Sequence, residues 1–178
     1  EIMSSDWSSD VCSSDLAITM DAAAGISRQL PNHVARIGVF VDTPPDAIKT
    51  HIETVGLTAA QFHGNYELAA LELFDFRQVI AVARVSDTFC VADLELYQHR
   101  AAAILLDTHR KSLYGGTGET FDWQAAIDAK AYGRVILAGG LNPENVRKAA
   151  ETVSPYALDV SSGVEASPGK KDIPHCTA

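Results

Sequence analysis

Two short turns in this sequence have the residues to hold an anion. Gly139-Gly140 follows the apolar run Arg134–Ala138, and Ser161-Ser162-Gly163 follows Tyr156–Val160. Small residues at strand ends let backbone N–H groups close on a phosphate. A helix-like segment of about a dozen residues separates the two turns, the length a parallel βαβ crossover needs. Asn142-Pro143-Glu144 supplies an N-cap, a first-turn proline and an acidic first turn. A third candidate is Asp107, which ends the run Ala102–Leu106. A carboxyl at the end of a covered strand is partly desolvated, an environment that suits a general acid. Read from spacing alone, Asp107 could equally cap the loop that follows it. His63, at another strand end, could be a substrate ligand or a hydrogen-bonded structural histidine. Asp159 could be a substrate contact or a buried hydrogen-bonding carboxylate.

The elements that must position these residues alternate between strand and helix. Strands are expected at about 35–41, 59–63, 78–85, 102–107, 134–138 and 156–161, nearly all continuous apolar runs of the kind covered on both faces. Helices are expected at 21–30, from Asp42-Thr43-Pro44-Pro45 to about Val55, at 66–74, from Asp87 to about Tyr97, and from Phe121 to about Lys130. A glycine-rich loop fills the stretch between Asp107 and Thr120. Its Gly115-Gly116-Thr117-Gly118 is no P-loop, because no Gly-Lys-Ser/Thr ends it. The pattern is α/β, either a doubly wound sheet or a barrel. A full (β/α)8 barrel takes roughly 250 residues, with 200 a lower limit. Residues 17–178 fall short of that by about two β-α units.

Residues 1–16 do not share this patterning. Ser-Ser-Asp recurs at residues 4, 8 and 13, with no strand or helix period. The segment reads as a foreign or disordered stretch, similar to a translated sequencing adapter, and is expected to pack poorly. The domain proper is therefore expected to span residues 17–178.

With 178 residues, 47% of them apolar, the chain can bury one large core. A formal charge of −9 argues against a nucleic-acid or anionic-membrane partner. It leaves room for a small anionic substrate, because backbone amides bind phosphate locally. No run is long enough to span a membrane, and no secretory leader is apparent. Cys12, Cys90 and Cys176 are odd in number and widely spaced. That suits a reducing cytoplasm better than a disulfide frame or a zinc site. Cys90 is expected to be a small buried residue. His33, His51, His99, His109 and His175 are expected at the surface, and Arg36 is expected to serve structure.

Taken in order, LLDT, GGTGETFDW, LAGGLNPENV and DVSSGVE with PGKKD resemble the phosphoribosylanthranilate isomerases of tryptophan biosynthesis, which are TIM (β/α)8 barrels. GVFVD and QFHG fit that family's third and fourth strands, and the likeness covers about Ala17 to Asp172. Glu119 stands where many members carry lysine.

The resemblance implies an Amadori rearrangement of N-(5-phosphoribosyl)anthranilate to 1-(2-carboxyphenylamino)-1-deoxyribulose 5-phosphate, with no cofactor and no metal. It assigns Asp107 as general acid. Gly139, Gly140, Ser161, Ser162 and Gly163 become the phosphate site, and His63 and Asp159 lie near the substrate. The implied partner is a small phosphorylated sugar, and the implied location cytoplasmic.

The family's general base is a cysteine in a Lys-Ile-Cys-Gly context after strand one. No such motif occurs here, and the role is not carried over to Cys12. On this likeness the chain is expected to be truncated at both ends, with about six parallel strands corresponding to barrel strands three to eight. Open edges at Ala35–Val41 and Ala157–Val160, with apolar surface exposed where strands one and two belong, and impaired catalysis are then expected. Two other readings stay open. One is a non-catalytic remnant that binds phosphosugars. The other is a different phosphate-binding barrel, such as indole-glycerol-phosphate synthase, which needs a strand-end lysine, or a ribulose-phosphate epimerase, which needs a metal set of His and Asp.

Overall fold

A computed structural model describes residues 3–7, 17–86, 88–107, 123–167 and 170–176. The chain forms two compact units. One comprises Glu1–Val82 with His99–Ala102, the other Ala83–Gln98 with Ala103–Ala178.

In the first unit, β1 (Met3–Trp7), β2 (Arg36–Val41), β3 (Ala59–His63) and the start of β4 (Val79–Arg84) pair in that order, all parallel. α1 (Met20–Ser27) follows β1, and α2 (Pro45–Val55) crosses from β2 to β3. β2 and β3 are buried at nearly every position, which agrees with their continuous apolar runs. Phe40 and Ile48 are fully buried. Helix α1 is capped by the Thr19 hydroxyl, which accepts from the Ala22 N–H at 3.3 Å.

Several expectations are corrected in this unit. The open edge foreseen at Ala35–Val41 is covered, because β1 pairs along it from Met3↔Arg36 to Trp7↔Phe40. Backbone pairing asks only for an extended chain, so a polar, unpatterned segment can supply a strand that its composition does not announce. Within Asp42-Thr43-Pro44-Pro45, which opens α2 as expected, Pro44 holds the cap position, and no side chain bonds the first turn. Asp42 instead takes a left-handed φ of 49° and accepts from the Asn65 N–H at 2.8 Å, tying the end of β2 to the turn after β3. The helix expected over 66–74 shrinks to α3 (Leu68–Leu71). Tyr66 is taken up elsewhere: its hydroxyl accepts from the buried Thr43 N–H at 2.7 Å, and its ring meets Phe62 edge-on at 5.1 Å. His51 is half-buried, not a surface residue. Its Nδ1 lies 2.7 Å from the Ala47 carbonyl, and its ring stands edge-on to Phe40.

In the second unit, β5 (Ala103–Asp107), β6 (Val135–Ala138) and β7 (Ala157–Leu158) pair parallel in sequence order. α4 (Trp123–Ala129) and α5 (Val146–Val153) cover one core with them. Its centre is Leu94, Ile104, Leu106, Ala126, Val135, Leu137, Ala149 and Val153. Lys148 lies 5.7 Å above the Trp123 ring, and Lys130 donates to the Val153 carbonyl at 2.9 Å, serving an end-of-helix acceptor on α5.

The helix expected from Asp87 to Tyr97 is a run of 3₁₀ turns over Val91–Tyr97. Cys90 precedes it and is exposed, not buried. The last expected strand is shorter than its apolar run and ends at Leu158, so Asp159 lies just past it. Beyond the second glycine turn, β8 (Glu165–Ser167) and β9 (Lys170–Lys171) form an antiparallel hairpin, followed by the short α6 (Ile173–Cys176). The expected loop at 108–120, His109 and Cys12 lie outside the described residues.

All six expected strands are present, and among the described residues β1 adds a further parallel strand and β8 with β9 a hairpin.

Burial pushes the Tyr66 phenol above its usual range, opposed in part by the Thr43 N–H that would stabilise a phenolate. A raised folded-state value means stability that is complete below the ordinary tyrosine value and lost as pH rises through the folded one. The sensitive window therefore lies above pH ~10. Tyr66→Phe removes the acceptor of a buried N–H and should cost about 1–3 kcal/mol. It should also flatten the alkaline fall in stability. Urea unfolding at neutral and alkaline pH checks both; a variant as stable as the parent at neutral pH would contradict the assignment.

Candidate functional site

The site is built from strand ends. In the second unit, Asp107 closes β5 and is in register with Ala138, the last residue of β6. Gly139 and Gly140 follow directly. Leu137 is in register with Leu158, and the Asp159 N–H donates to the Leu137 carbonyl at 2.9 Å. Because the three strands are parallel, Asp107, the Gly139-Gly140 turn, Asp159 and Ser161-Ser162-Gly163 all leave from one rim of the sheet. Asp107 and Asp159 are half-buried, Ser161 and Ser162 exposed. The Asp107 carbonyl accepts from the Val85 N–H at 2.9 Å, fixing the backbone under its carboxylate.

Gly139 and Gly140 take φ of 88° and 67°, a conformation that side chains disfavour. The expected Asn142 cap is present in a modified form. Its Oδ1 accepts from the N–H of Glu144 at 2.9 Å and of Asn145 at 3.1 Å. These bonds close a turn of 143–145 before α5 begins at Val146.

Sequence reasoning missed Asn145. Its side-chain amide donates to the Gly140 carbonyl at 3.0 Å, and its Oδ1 accepts from the Asn142 N–H at 2.9 Å. One side chain thus braces both halves of the first turn. The signal was an asparagine three residues after another asparagine, the spacing of reciprocal side-chain-to-backbone bonds.

The second turn packs directly on the first. A Cβ on Gly163 would fall inside the Leu141 carbonyl oxygen and close to Asn142 Cα. Only glycine permits this approach. The two turns are thus packed backbone against backbone.

In the first unit, His63 ends β3 in register with Val41 and is half-buried. Gly64 follows it, and the Asp42 carboxylate lies against that glycine. Arg36 begins β2, at the opposite strand end from His63's neighbour Val41. Among the described residues no group of three or more His, Cys, Asp or Glu is arranged to hold a metal ion. Among the same residues no helix is long and apolar enough to cross a membrane.

The family model for N-(5'-phosphoribosyl)anthranilate isomerase matches residues 9–177. The chain belongs to this isomerase family. The N-(5'-phosphoribosyl)anthranilate isomerase of Geobacter sulfurreducens is 45% identical over 156 residues, 87% of this chain and 75% of that protein. That of Rubrobacter xylanophilus is 41% identical over 158 residues, 86% of this chain and 75% of that protein. The Thermotoga maritima phosphoribosylanthranilate isomerase structure superposes with a TM-score of 0.84 at 39% identity, covering 98% of this chain and 83% of that one. A phosphoribosylanthranilate isomerase in complex with reduced 1-(o-carboxyphenylamino)-1-deoxyribulose 5-phosphate superposes with a TM-score of 0.81 at 35% identity, covering 98% and 82%.

The fold class is accordingly α/β of the TIM-barrel type, and the family's members are isomerases of tryptophan biosynthesis. The expected truncation and the impairment inferred from it are not borne out. The edge of β2, where a gap was expected, carries a strand.

If the two turns are one cradle, the crowded glycine matters most to its assembly. Gly163→Ala should cost about 1–3 kcal/mol through overpacking. Gly140→Ala meets open space and should cost only about 1–2 kcal/mol of left-handed backbone strain. Urea midpoints of the two variants test the order; a Gly163→Ala protein clearly more stable than Gly140→Ala would refute the packing argument.

Proposed function

We propose that this chain catalyses the Amadori rearrangement of N-(5-phosphoribosyl)anthranilate, with Asp107 as general acid and the paired turns as phosphate site. The observation that carries the reading is the shared rim: one carboxylate and two amide-rich turns leave the same ends of three adjacent parallel strands. Barrel enzymes hold phosphate in this way after their last two strands.

Backbone N–H groups of Gly139, Gly140, Ser161, Ser162 and Gly163 hold the phosphate of the sugar. Asp107 then gives its proton to the furanose ring oxygen. The C1–O bond breaks, and the nitrogen lone pair forms the C1=N bond of a Schiff base. A general base takes the C2 proton, and the C2–H electrons move to the C1=N unit to give an enolamine; its enol hydroxyl then loses a proton as C1 gains one, leaving the C2 ketone. C1 is reduced as C2 is oxidised, so the electrons balance within the substrate. This is why the reading needs neither cofactor nor metal. Asp159, one residue beyond β7, and His63, at the end of β3, serve as substrate contacts. No cysteine is assigned the task of taking the C2 proton. A small phosphorylated sugar as sole partner, in the cytoplasm, fits an acidic chain that binds its anion through peptide groups.

Replacing the acid tests the scheme. Asp107→Asn keeps shape and hydrogen bonding but cannot donate the proton, and general acid catalysis is worth about 10²–10⁴-fold. The turnover number should fall by that factor while inorganic phosphate still binds. Steady-state assay of parent and variant with N-(5-phosphoribosyl)anthranilate decides it; equal turnover would remove Asp107 from the chemistry.

A further inference from the structure

One contact on the second turn has no part in the mechanism above. The Lys171 ammonium donates to the Ser161 carbonyl at 3.0 Å and pairs with Glu165 Oε1 at 2.8 Å. Lys171 sits on β9 and Glu165 opposite it on β8, in register. A backbone bond from the Asp172 N–H to the Val164 carbonyl, 2.8 Å, clamps the hairpin to the turn. The Glu165 side chain is only 11% exposed and that of Lys171 49%, so the carboxylate fixes a lysine that would otherwise sample water.

The Ser161 carbonyl and the Ser162 N–H belong to one planar peptide group. A cation on the oxygen draws electron density from the nitrogen and makes the N–H a stronger donor. It also fixes the peptide plane, and with it the direction of that N–H. The ammonium's own charge is largely balanced by Glu165, so its influence passes through the peptide and not through long-range attraction.

We propose that Lys171 is a positioning residue for the phosphate group of the substrate, orienting and polarising the Ser161–Ser162 peptide. The inference rests on the reading that this turn binds phosphate. Lys171 acts on binding and leaves proton transfer at Asp107 untouched.

The test compares the parent, Lys171→Met and Lys171→Arg. Inorganic phosphate is titrated by calorimetry, and steady-state kinetics are run with N-(5-phosphoribosyl)anthranilate. Losing one charge-assisted hydrogen bond should weaken phosphate binding and raise KM by about tenfold each. The turnover number should barely move, and the melting temperature should fall only by the few degrees expected when the largely buried Glu165 carboxylate loses its ammonium partner. Lys171→Arg should recover part of the affinity, because guanidinium can also donate to the carbonyl. Phosphate affinity unchanged in Lys171→Met overturns the proposal, as does a loss of turnover and melting temperature with KM unmoved. A parent chain that binds no phosphate at all overturns the cradle reading and the proposal with it. Binding in the parent that persists in Lys171→Met overturns the lysine's role alone.

Discussion

Parallel pairing makes β5, β6 and β7 end on the same side, and the candidate site of the second unit depends on that constraint. β5, β6 and β7 are in register from Asp107↔Ala138 to Leu137↔Leu158. Whatever follows each strand must therefore emerge at one rim. A carboxylate, a double-glycine turn and a serine-rich turn reach the same neighbourhood although more than fifty residues of sequence separate the first from the last. Antiparallel pairing would have sent every second turn to the far end of the sheet.

Burial pins the register. Ile104, Leu106, Val135 and Leu137 are buried together with Ala126 and Ala149 of the covering helices. A slip of one residue would turn each strand's side chains to the other face, against the small residues that now meet the helices. The core thus fixes the site from below. It is assembled from the most regular parts of the sequence, and the reactive groups occupy the irregular parts immediately beyond.

Those irregular parts are held by polar bonds, not by apolar packing. Asn142 and Asn145 lock the first turn through four side-chain-to-backbone bonds. The second turn is held by its contact with Leu141 and by the hairpin that carries Lys171 and Glu165. Such bracing fixes the backbone of both turns. The same device appears in the first unit, where Asp42 and Tyr66 bond backbone N–H groups beside His63's turn.

The long apolar runs were legible. Ala59–His63 is a strand at the bounds its residues suggest, and α2 ends at Val55 as its pattern suggests. The glycine turns and Asp107 stood out because small residues and a carboxylate after buried strands have few other uses. Weaker local signals misled. The stretches 66–74 and 87–97 read as helix but form short or 3₁₀ segments among the described residues, and the bond that Tyr66 makes to Thr43 is one that no propensity scale records. Met3–Trp7 carries no period at all, yet the unpaired backbone of β2 gives it a partner.

The sequence by itself determined the α/β alternation, the positions of the turns and the chemical character of the groups on them, because these follow from local patterning of apolar and small residues. Only the tertiary structure decided that Gly163 lies against Leu141, that Asn145 reaches back to Gly140 and that Lys171 meets the Ser161 carbonyl. Those contacts join residues through space at distances of about 3 Å, and neither spacing nor residue type fixes such a meeting until parallel strands and their helices have been packed.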